Sequence, residues 1–431
     1  MMAAAPLSVG LFALIFFLVE AEKVDRNQAM VGGAALMLLL GWWFDFYGPR
    51  EAVRTVYFDT LALIFGMSLI GSVLIRSGLF NILATKVASY SRGNAQLVLV
   101  LMVLITYGFS LVVNNLATML IILPLTLALC DAVELEPVPI IIAELAASNL
   151  GGASTLIGDF PNMIIGAAGK LHFDDFIGGM MVPCLMMLAI LLGYCSEQMV
   201  RAGKSGLVTD KIVTKQAEVD HYSLQVGLTI LGVTLLFLVF SYPLGLQPGT
   251  IAMVAGLVTL VWGRVPQETW FRDTSGSDII YFAALFIMVG GLQAAGVLDN
   301  LHELIVTLGG KNATQSVLLL MWISALLTPF LNAGPTAALL VPIAGIMNQE
   351  FPGSSVWWAL SLGILAGSSA TLSGATAGPV IASQMVHQLE EHRRARHSGW
   401  VLDSGRYRQW GIPIAGIFLV FSTLYIAIPT R

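Results

Sequence analysis

Long apolar runs alternate with short polar stretches along this chain, and the runs are of membrane length. A span needs roughly 17 to 25 mostly apolar residues. On that rule the sequence predicts spans near 2–19, 28–43, 58–75, 138–169, 177–199, 223–242, 246–263, 278–297, 356–388 and 409–428. Residues 95–130 and 313–348 are apolar too, but they carry polar tips, VVNNLAT and FLNAGPT, at their midpoints. Each reads as a re-entrant helix hairpin rather than two full spans, because unpaired backbone at membrane depth is tolerated only where protein buries it. Two of the spans are themselves interrupted, by GGASTLIGDFPN (Gly151 to Asn162) and by GSSATLSGATAG (Gly367 to Gly378). Gly, Ser, Thr, Asp, Pro and Asn all weaken a helix.

The interruptions belong to a duplication. At an offset of 218, Gly78 falls on Gly296, Asn114 on Asn332 and Pro124 on Pro342; at 216, Gly151 falls on Gly367, Thr155 on Thr371, Leu156 on Leu372 and Gly158 on Gly374. The expected organisation is a first unit over 1–199, a cytoplasmic linker over 200–222 and a second unit over 223–431. With five spans and one hairpin each, an odd number of crossings turns the second unit upside down, an inverted repeat. The fold class predicted is therefore an all-α polytopic membrane protein of two inverted repeats.

Charge supports the same layout. The loops at 20–27, 76–94, 200–222, 264–277 and 389–408 hold 16 of the 21 Lys and Arg, which makes that face cytoplasmic. Both termini then lie on the far side, the first hairpin dips in from the cytoplasm and the second from opposite.

Composition narrows the class. The chain is 57% hydrophobic and 11% charged, with mean hydropathy +0.82, against about 25% charged for a soluble domain. Nothing in it attracts nucleic acid. The first apolar stretch lacks a positive flank and an A-x-A site, so it reads as a retained span rather than a signal peptide. Cys130, Cys184 and Cys195 lack metal spacing and read as lipid-facing or packing residues. GGKNAT at Gly309 lacks the GxxxxGK[ST] order of a phosphate loop. The cluster EEHRRARH, Glu390 to His397, reads as a topology anchor rather than a pH sensor. No enzyme motif, cofactor or metal site is indicated, and transport, if that is the function, would run on an ion gradient.

A helix end at membrane depth leaves N–H or C=O groups without partners, and something polar must meet them. Half-helix N-termini favour anions and unwound carbonyls favour cations. The first-unit candidates are Asn114, Asn115 and Thr118 at the hairpin tip, with Ser154, Thr155, Asp159 and Asn162 at the break. The second-unit candidates are Asn332 and Thr336, with Ser368, Ser369, Thr371, Ser373 and Thr376. Small polar residues that merely let helices approach would look alike one at a time, but not as four duplicated breaks.

Asp159 is the sharpest signal, since a charge at this depth is costly and the equivalent second-unit position is Ala375. A lone carboxylate there can hold Na⁺ when ionised or carry a proton when neutral; it can also cap the half-helix that follows. Glu144, one turn above Ser148 and Asn149, is a proton-relay candidate, or a charge paired with a neighbouring helix. Asp59 and Asp278 sit where spans begin and read as interfacial.

At SNLGGASTLIGDFPNMII the sequence resembles the ArsB/NhaD branch of the ion transporter superfamily, arsenite permeases and Na⁺/H⁺ antiporters with a similar SNIGG-x-AT-x-IGDPPN stretch. The resemblance extends over nearly the whole chain through ELAASN, the hairpins and GSSATLSGATAGP. It implies opposed hairpins, alternating access and a first-half site at Asn149, Ser154, Thr155, Asp159 and Asn162, with Asn114 and Asn115 at the tip. Sodium-coupled relatives often have Asp-Asn at hairpin tips, where this chain has Asn114-Asn115 and Asn332-Ala333, which leaves Asp159 as the main titrating group. YFDTLALIFGM, IGDFPNMI and KLHFDDFIGGMM look most like members found in magnetosome membranes. That implies an inner-membrane vesicle in which forming magnetite releases protons. The expected function is H⁺ export or Na⁺/H⁺ antiport, with an arsenite or oxyanion carrier and a non-transporting scaffold as alternatives. The partners expected are small inorganic ions and membrane lipid, with a homodimer left open.

Overall fold

The computed structural model describes residues 4–20, 24–91, 94–132, 135–201, 219–266, 275–310, 312–352, 355–391 and 400–428. The linker over 202–218 and positions 392–397 of the basic cluster lie outside the described residues.

The described residues form helices joined by turns and short loops, without strands. In order they form α1 (Ala4–Glu20), α2 (Arg26–Trp43), α3 (Pro49–Thr55), α4 (Phe58–Arg76), α5 (Leu79–Ser91), α6 (Ala95–Ser110), α7 (Asn115–Ala132), α8 (Val138–Ser154) and α9 (Phe160–Gly169). A short α10 (Phe173–Phe176) runs through a π turn, Ile177–Met181, into α11 (Val182–Arg201). Then follow α12 (His221–Val239), α13 (Ser241–Leu244), α14 (Pro248–Trp262), α15 (Gly276–Ala294), α16 (Val297–Leu308), α17 (Ala313–Leu331), α18 (Ala333–Glu350), α19 (Val356–Ser368), α20 (Gly378–Glu391) and α21 (Ser404–Ala427). Many starts are written in the sequence: Asp25, Asn94, Asp220, Asn312 and Asp403 each accept backbone N–H bonds as N-caps.

Six described helical segments are long and apolar enough to cross a membrane, and α1, α6, α7, α8, α14 and α19 are shorter apolar helices. The spans expected at 138–169 and 356–388 are each two helices, α8 then α9 and α19 then α20, parted at the anticipated polar stretches. Two expectations are corrected. Residues 76–94, read as a loop, are mostly the helix α5, because a run without Gly or Pro beyond Gly78 propagates as helix even at a membrane edge. The first arm of the second hairpin, α17, is 19 residues long and apolar enough to cross by itself, longer than an arm that turns back halfway. The turn is set locally by Asn332, whose φ of 70° ends one helix and starts the next.

Close packing rests on small residues, as it must where lipid supplies no hydrophobic drive between helices. A Cβ on Gly66 would run into the Ala252 backbone, seating α4 on α14. The duplicated glycines share their contacts. A Cβ on Gly151 would strike the Tyr107 carbonyl and the Ser110 side chain, and one on Gly367 the Ala325 carbonyl and the Thr328 side chain. Those contact residues are themselves 218 apart. So α6 lies against α8 as α17 lies against α19, while α18 packs on α9 and ties one half to the other. Cys130, Cys184 and Cys195 are free thiols buried within this packing, which settles them as packing residues.

Candidate ion site

The first break spans 155–159, between the C-terminus of α8 and the N-terminus of α9. Asp159 is the N-cap of α9, with its Oδ1 accepting the Phe160 N–H at 2.9 Å. The helix start therefore already holds a carboxylate at its positive end. Its other oxygen, Oδ2, accepts from Asn115 Nδ2 at 2.8 Å. Asp159 is 8% exposed and Asn115 fully buried. Asn115 Nδ2 also donates to Asn149 Oδ1 at 3.3 Å, and Asn149 Nδ2 to the Ser368 carbonyl at 3.4 Å. One amide chain thus runs from the first break, across the hairpin tip and α8, to the last residue of α19 in the second half.

The amide orientations along this chain follow from its ends. An ionised carboxylate and a backbone carbonyl can only accept, so each Asn must turn an Nδ2 toward its end. Asn115 Oδ1 is left buried and without a partner. It faces Gly152, where an added Cβ would lie 2.6 Å from that oxygen and 2.9 Å from Asp159 Cβ. Such an orphaned acceptor beside a carboxylate calls for a cation or a donor.

Other first-half candidates serve the backbone. Asn162 Nδ2 donates to the carbonyls of Gly152, Ala153 and Thr155 at 3.2, 2.9 and 2.8 Å, capping the broken end of α8, while Ser361 donates to its Oδ1 at 2.7 Å. Thr155 donates to the Leu111 carbonyl at 2.6 Å and accepts from Gly158 N–H at 3.1 Å. Ser154 donates to the Leu150 carbonyl at 2.7 Å and lies 2.9 Å from the Tyr107 hydroxyl. Asn114 accepts from Ala117 N–H at 2.8 Å, closing the hairpin turn, and Thr118 donates to the Val113 carbonyl at 3.4 Å.

Glu144 is fully buried on α8, and its Oε1 accepts from the Thr126 hydroxyl of α7 at 2.6 Å. Its Oε2 and the Ser148 hydroxyl one turn along have no partner. It does pair with a neighbouring helix, but with a hydroxyl rather than a charge. Asp59 accepts from Gly249 N–H at 2.9 Å, and Asp278 pairs with Arg26 at 2.5 Å.

The second break repeats part of this. Gly374 N–H donates to Thr371 Oγ1 at 3.0 Å, as Gly158 does to Thr155. Asn332 Nδ2 donates to the Ser373 carbonyl at 3.2 Å and its Oδ1 accepts from Ala333 N–H at 2.7 Å. Thr336 donates to the Asn332 carbonyl at 2.8 Å. Ser373 reaches the Pro329 carbonyl at 3.4 Å and Thr371 at the same distance. Ser368 and Ser369 both donate to the Leu365 carbonyl, at 2.9 and 3.0 Å. Thr376 Oγ1 has no partner. Tyr107, Thr126 and Ser361 escaped the sequence reading because each sits within an apolar run and gains its role only through a helix distant in sequence.

The sequence profile of CitMHS, the citrate transporter family, matches residues 14–363. The chain belongs to that family. As a CitMHS member it is a polytopic membrane transporter, in keeping with the resemblance to the ion transporter superfamily. It is 42% identical to the magnetosome protein MamN of Magnetospirillum gryphiswaldense and 40% identical to that of Paramagnetospirillum magneticum, in each case across 98% of both chains. An uncharacterized transporter of Mycobacterium tuberculosis is 28% identical across 97% of both. Among solved structures, the YdaH transporter of Alcanivorax borkumensis superposes with a TM-score of 0.61 at 15% identity, covering 98% of this chain and 97% of that one. At that identity the likeness speaks to fold alone.

Proposed function

We propose that this chain is a secondary active carrier that exports H⁺, or exchanges it against Na⁺, by alternating access between two inverted units, 1–199 and 223–431, joined by 200–222. The observation that carries the reading is the buried Asp159 carboxylate held by Asn115 and connected through Asn149 to Ser368. The paired contacts of Gly151 and Gly367 support the duplicated layout.

The amide chain supplies a coupling mechanism. When Asp159 takes a proton on Oδ2, that oxygen changes from acceptor to donor, and Asn115 must turn its Oδ1 toward it. Asn149 Oδ1 then faces an oxygen where it faced an N–H, and Asn149 must turn its own Nδ2 toward Asn115. Its bond to the Ser368 carbonyl, which can only accept, is the weakest link and is released. Proton occupancy in one half is thereby felt by the other. Glu144, with one free oxygen, is the second group available to carry a proton.

A cation suits the site better than an anion. No Lys, Arg or His occurs in 110–132, 138–169, 313–350 or 356–386, so no side-chain charge there would balance a tricarboxylate or an oxyanion. The α9 N-terminus, the natural anion cradle, is taken by Asp159. Two relatives at 42% and 40% identity are magnetosome proteins, so we place the carrier in the magnetosome membrane, where removing protons from the lumen favours magnetite.

The test is proton flux in vesicles containing the purified chain and an internal pH dye, driven by an imposed ion gradient. Flux should be present in the wild type and lost in Asp159→Asn. Arsenite or citrate uptake with no pH response would overturn the reading.

A further inference from the structure

A cavity of about 130 Å³ lies between α1, α2, α15 and the tip of the second hairpin. The exposed Arg26, with Asp278 beside it, marks its rim, and its lining also includes Tyr281, Phe160, Asn332 and Thr376. The volume is ample for several waters or a hydrated ion. Phe160 directly follows Asp159, so the wall of the cavity is one residue along the backbone from the N-cap of α9. Phe160 stands edge-on to Phe282 with ring centroids 5.1 Å apart, an apolar pair between the cavity and the first break. The Thr376 hydroxyl, buried and without a partner, belongs to the second.

Contacts among the described residues fasten the rim. Arg26 Nη2 meets Asp278 Oδ1 at 2.5 Å, Asn27 Nδ2 donates to Ser277 Oγ at 2.6 Å, and the Arg26 guanidinium lies 5.5 Å from the Tyr281 ring centre. These contacts join the start of α2 to the start of α15. The Arg26 side chain is 49% exposed and that of Asp278 13%. The guanidinium is thus half in solvent, where screening weakens its hold on the more enclosed Asp278 carboxylate.

We propose that the cavity is the ion's access vestibule and that the Arg26–Asp278 pair is the latch over it, a role that rests on the ion-carrier reading above. Closed, the guanidinium covers the rim and neutralises Asp278. Open, Asp278 is left as a bare carboxylate at the mouth, which draws a cation toward the Thr376 hydroxyl and the Asn332 tip. The loops at 20–27 and 264–277 fall on the Lys- and Arg-rich side, so the vestibule serves the cytoplasmic face.

Two measurements test the latch. In vesicles, the double variant Arg26→Cys with Asp278→Cys is spanned by a short, reducible bis-methanethiosulfonate; the native cysteines are buried. Flux should fall to that of protein-free vesicles on cross-linking and return on reduction; undiminished flux through the cross-linked protein overturns the proposal. Independently of transport, Thr376→Cys is alkylated with a maleimide from the cytoplasmic side, with and without Arg26→Gln. Labelling should quicken by about fivefold when the latch is lost, the shift one exposed ion pair can hold back. An unchanged rate overturns the latch. Should the wild type itself pass no protons, the carrier reading fails and the labelling still decides whether Arg26 closes the cavity.

Discussion

Asn115 and Asp159, on different helices and 44 residues apart in sequence, meet at 2.8 Å, so that the hairpin tip holds the one carboxylate of the first break. Asn115→Leu removes the side-chain donor from that buried oxygen. Loss of a partner to a buried polar group costs about 1–3 kcal/mol, so proton flux in the dye-loaded vesicles should drop by about tenfold. Flux at the wild-type rate would separate the tip from the coupling step.

Asp159 does two jobs, and two substitutions separate them. Asp159→Asn keeps a good N-cap, so the unfolding temperature in detergent should stay near that of the wild type while flux disappears. Asp159→Ala loses the cap as well and should be less stable by about 0.5–2 kcal/mol. A destabilised but transporting Asp159→Ala would leave capping as its only role.

Gly152 leaves room beside Asn115 Oδ1 for whatever satisfies that oxygen. In Gly152→Ala the new methyl would sit 2.6 Å from it, so flux should be abolished in a protein that still reaches the membrane. Transport by this variant, measured in the same vesicles, would show that no ion visits that oxygen.

Gly151 and Gly367 test the duplication instead. Each seats its helix on the carbonyl of a partner 218 residues from its counterpart, and Gly151→Ala and Gly367→Ala should each destabilise by about 1–3 kcal/mol through overpacking. Thermal unfolding in detergent reads both; a large effect in one and none in the other would count against equivalent halves.

Glu144→Gln keeps the acceptor that Thr126 requires and removes the proton-carrying carboxylate. Flux should fall by at least about tenfold if Glu144 carries protons, with unfolding unchanged. Thr126→Val instead orphans a second Glu144 oxygen and should lower stability by about 1–3 kcal/mol. The contrast between the two distinguishes relay from packing.

The helical, multi-span character, the two broken spans and both hairpin turns were legible because each depends on residues adjacent in sequence. Apolar runs set span length, and Gly, Ser, Thr and Asn mark where backbone leaves the helix. The helix α5 and the length of α17 were less legible, since a polar tip signals a turn without fixing how far the arm before it extends. The sequence gathers polar residues at the breaks but could not sort them by the bonds they make. Asn162 has three carbonyls to satisfy on α8, whereas Asn115, in an equally polar motif, has an oxygen left over.

By itself, then, the sequence determined that the chain is built of apolar helices of membrane length, where two of them break and that one break alone carries an acid, all consequences of local solvation and helix propensity. Only the tertiary structure decided that Asn115 and Asn149 connect this acid to Ser368, that Thr126 partners Glu144, and that Arg26 meets Asp278, 252 residues away in the chain, beside a cavity. Hydrogen-bond direction and orphaned atoms depend on which helices meet, and packing between distant segments leaves no period or spacing in the sequence to read.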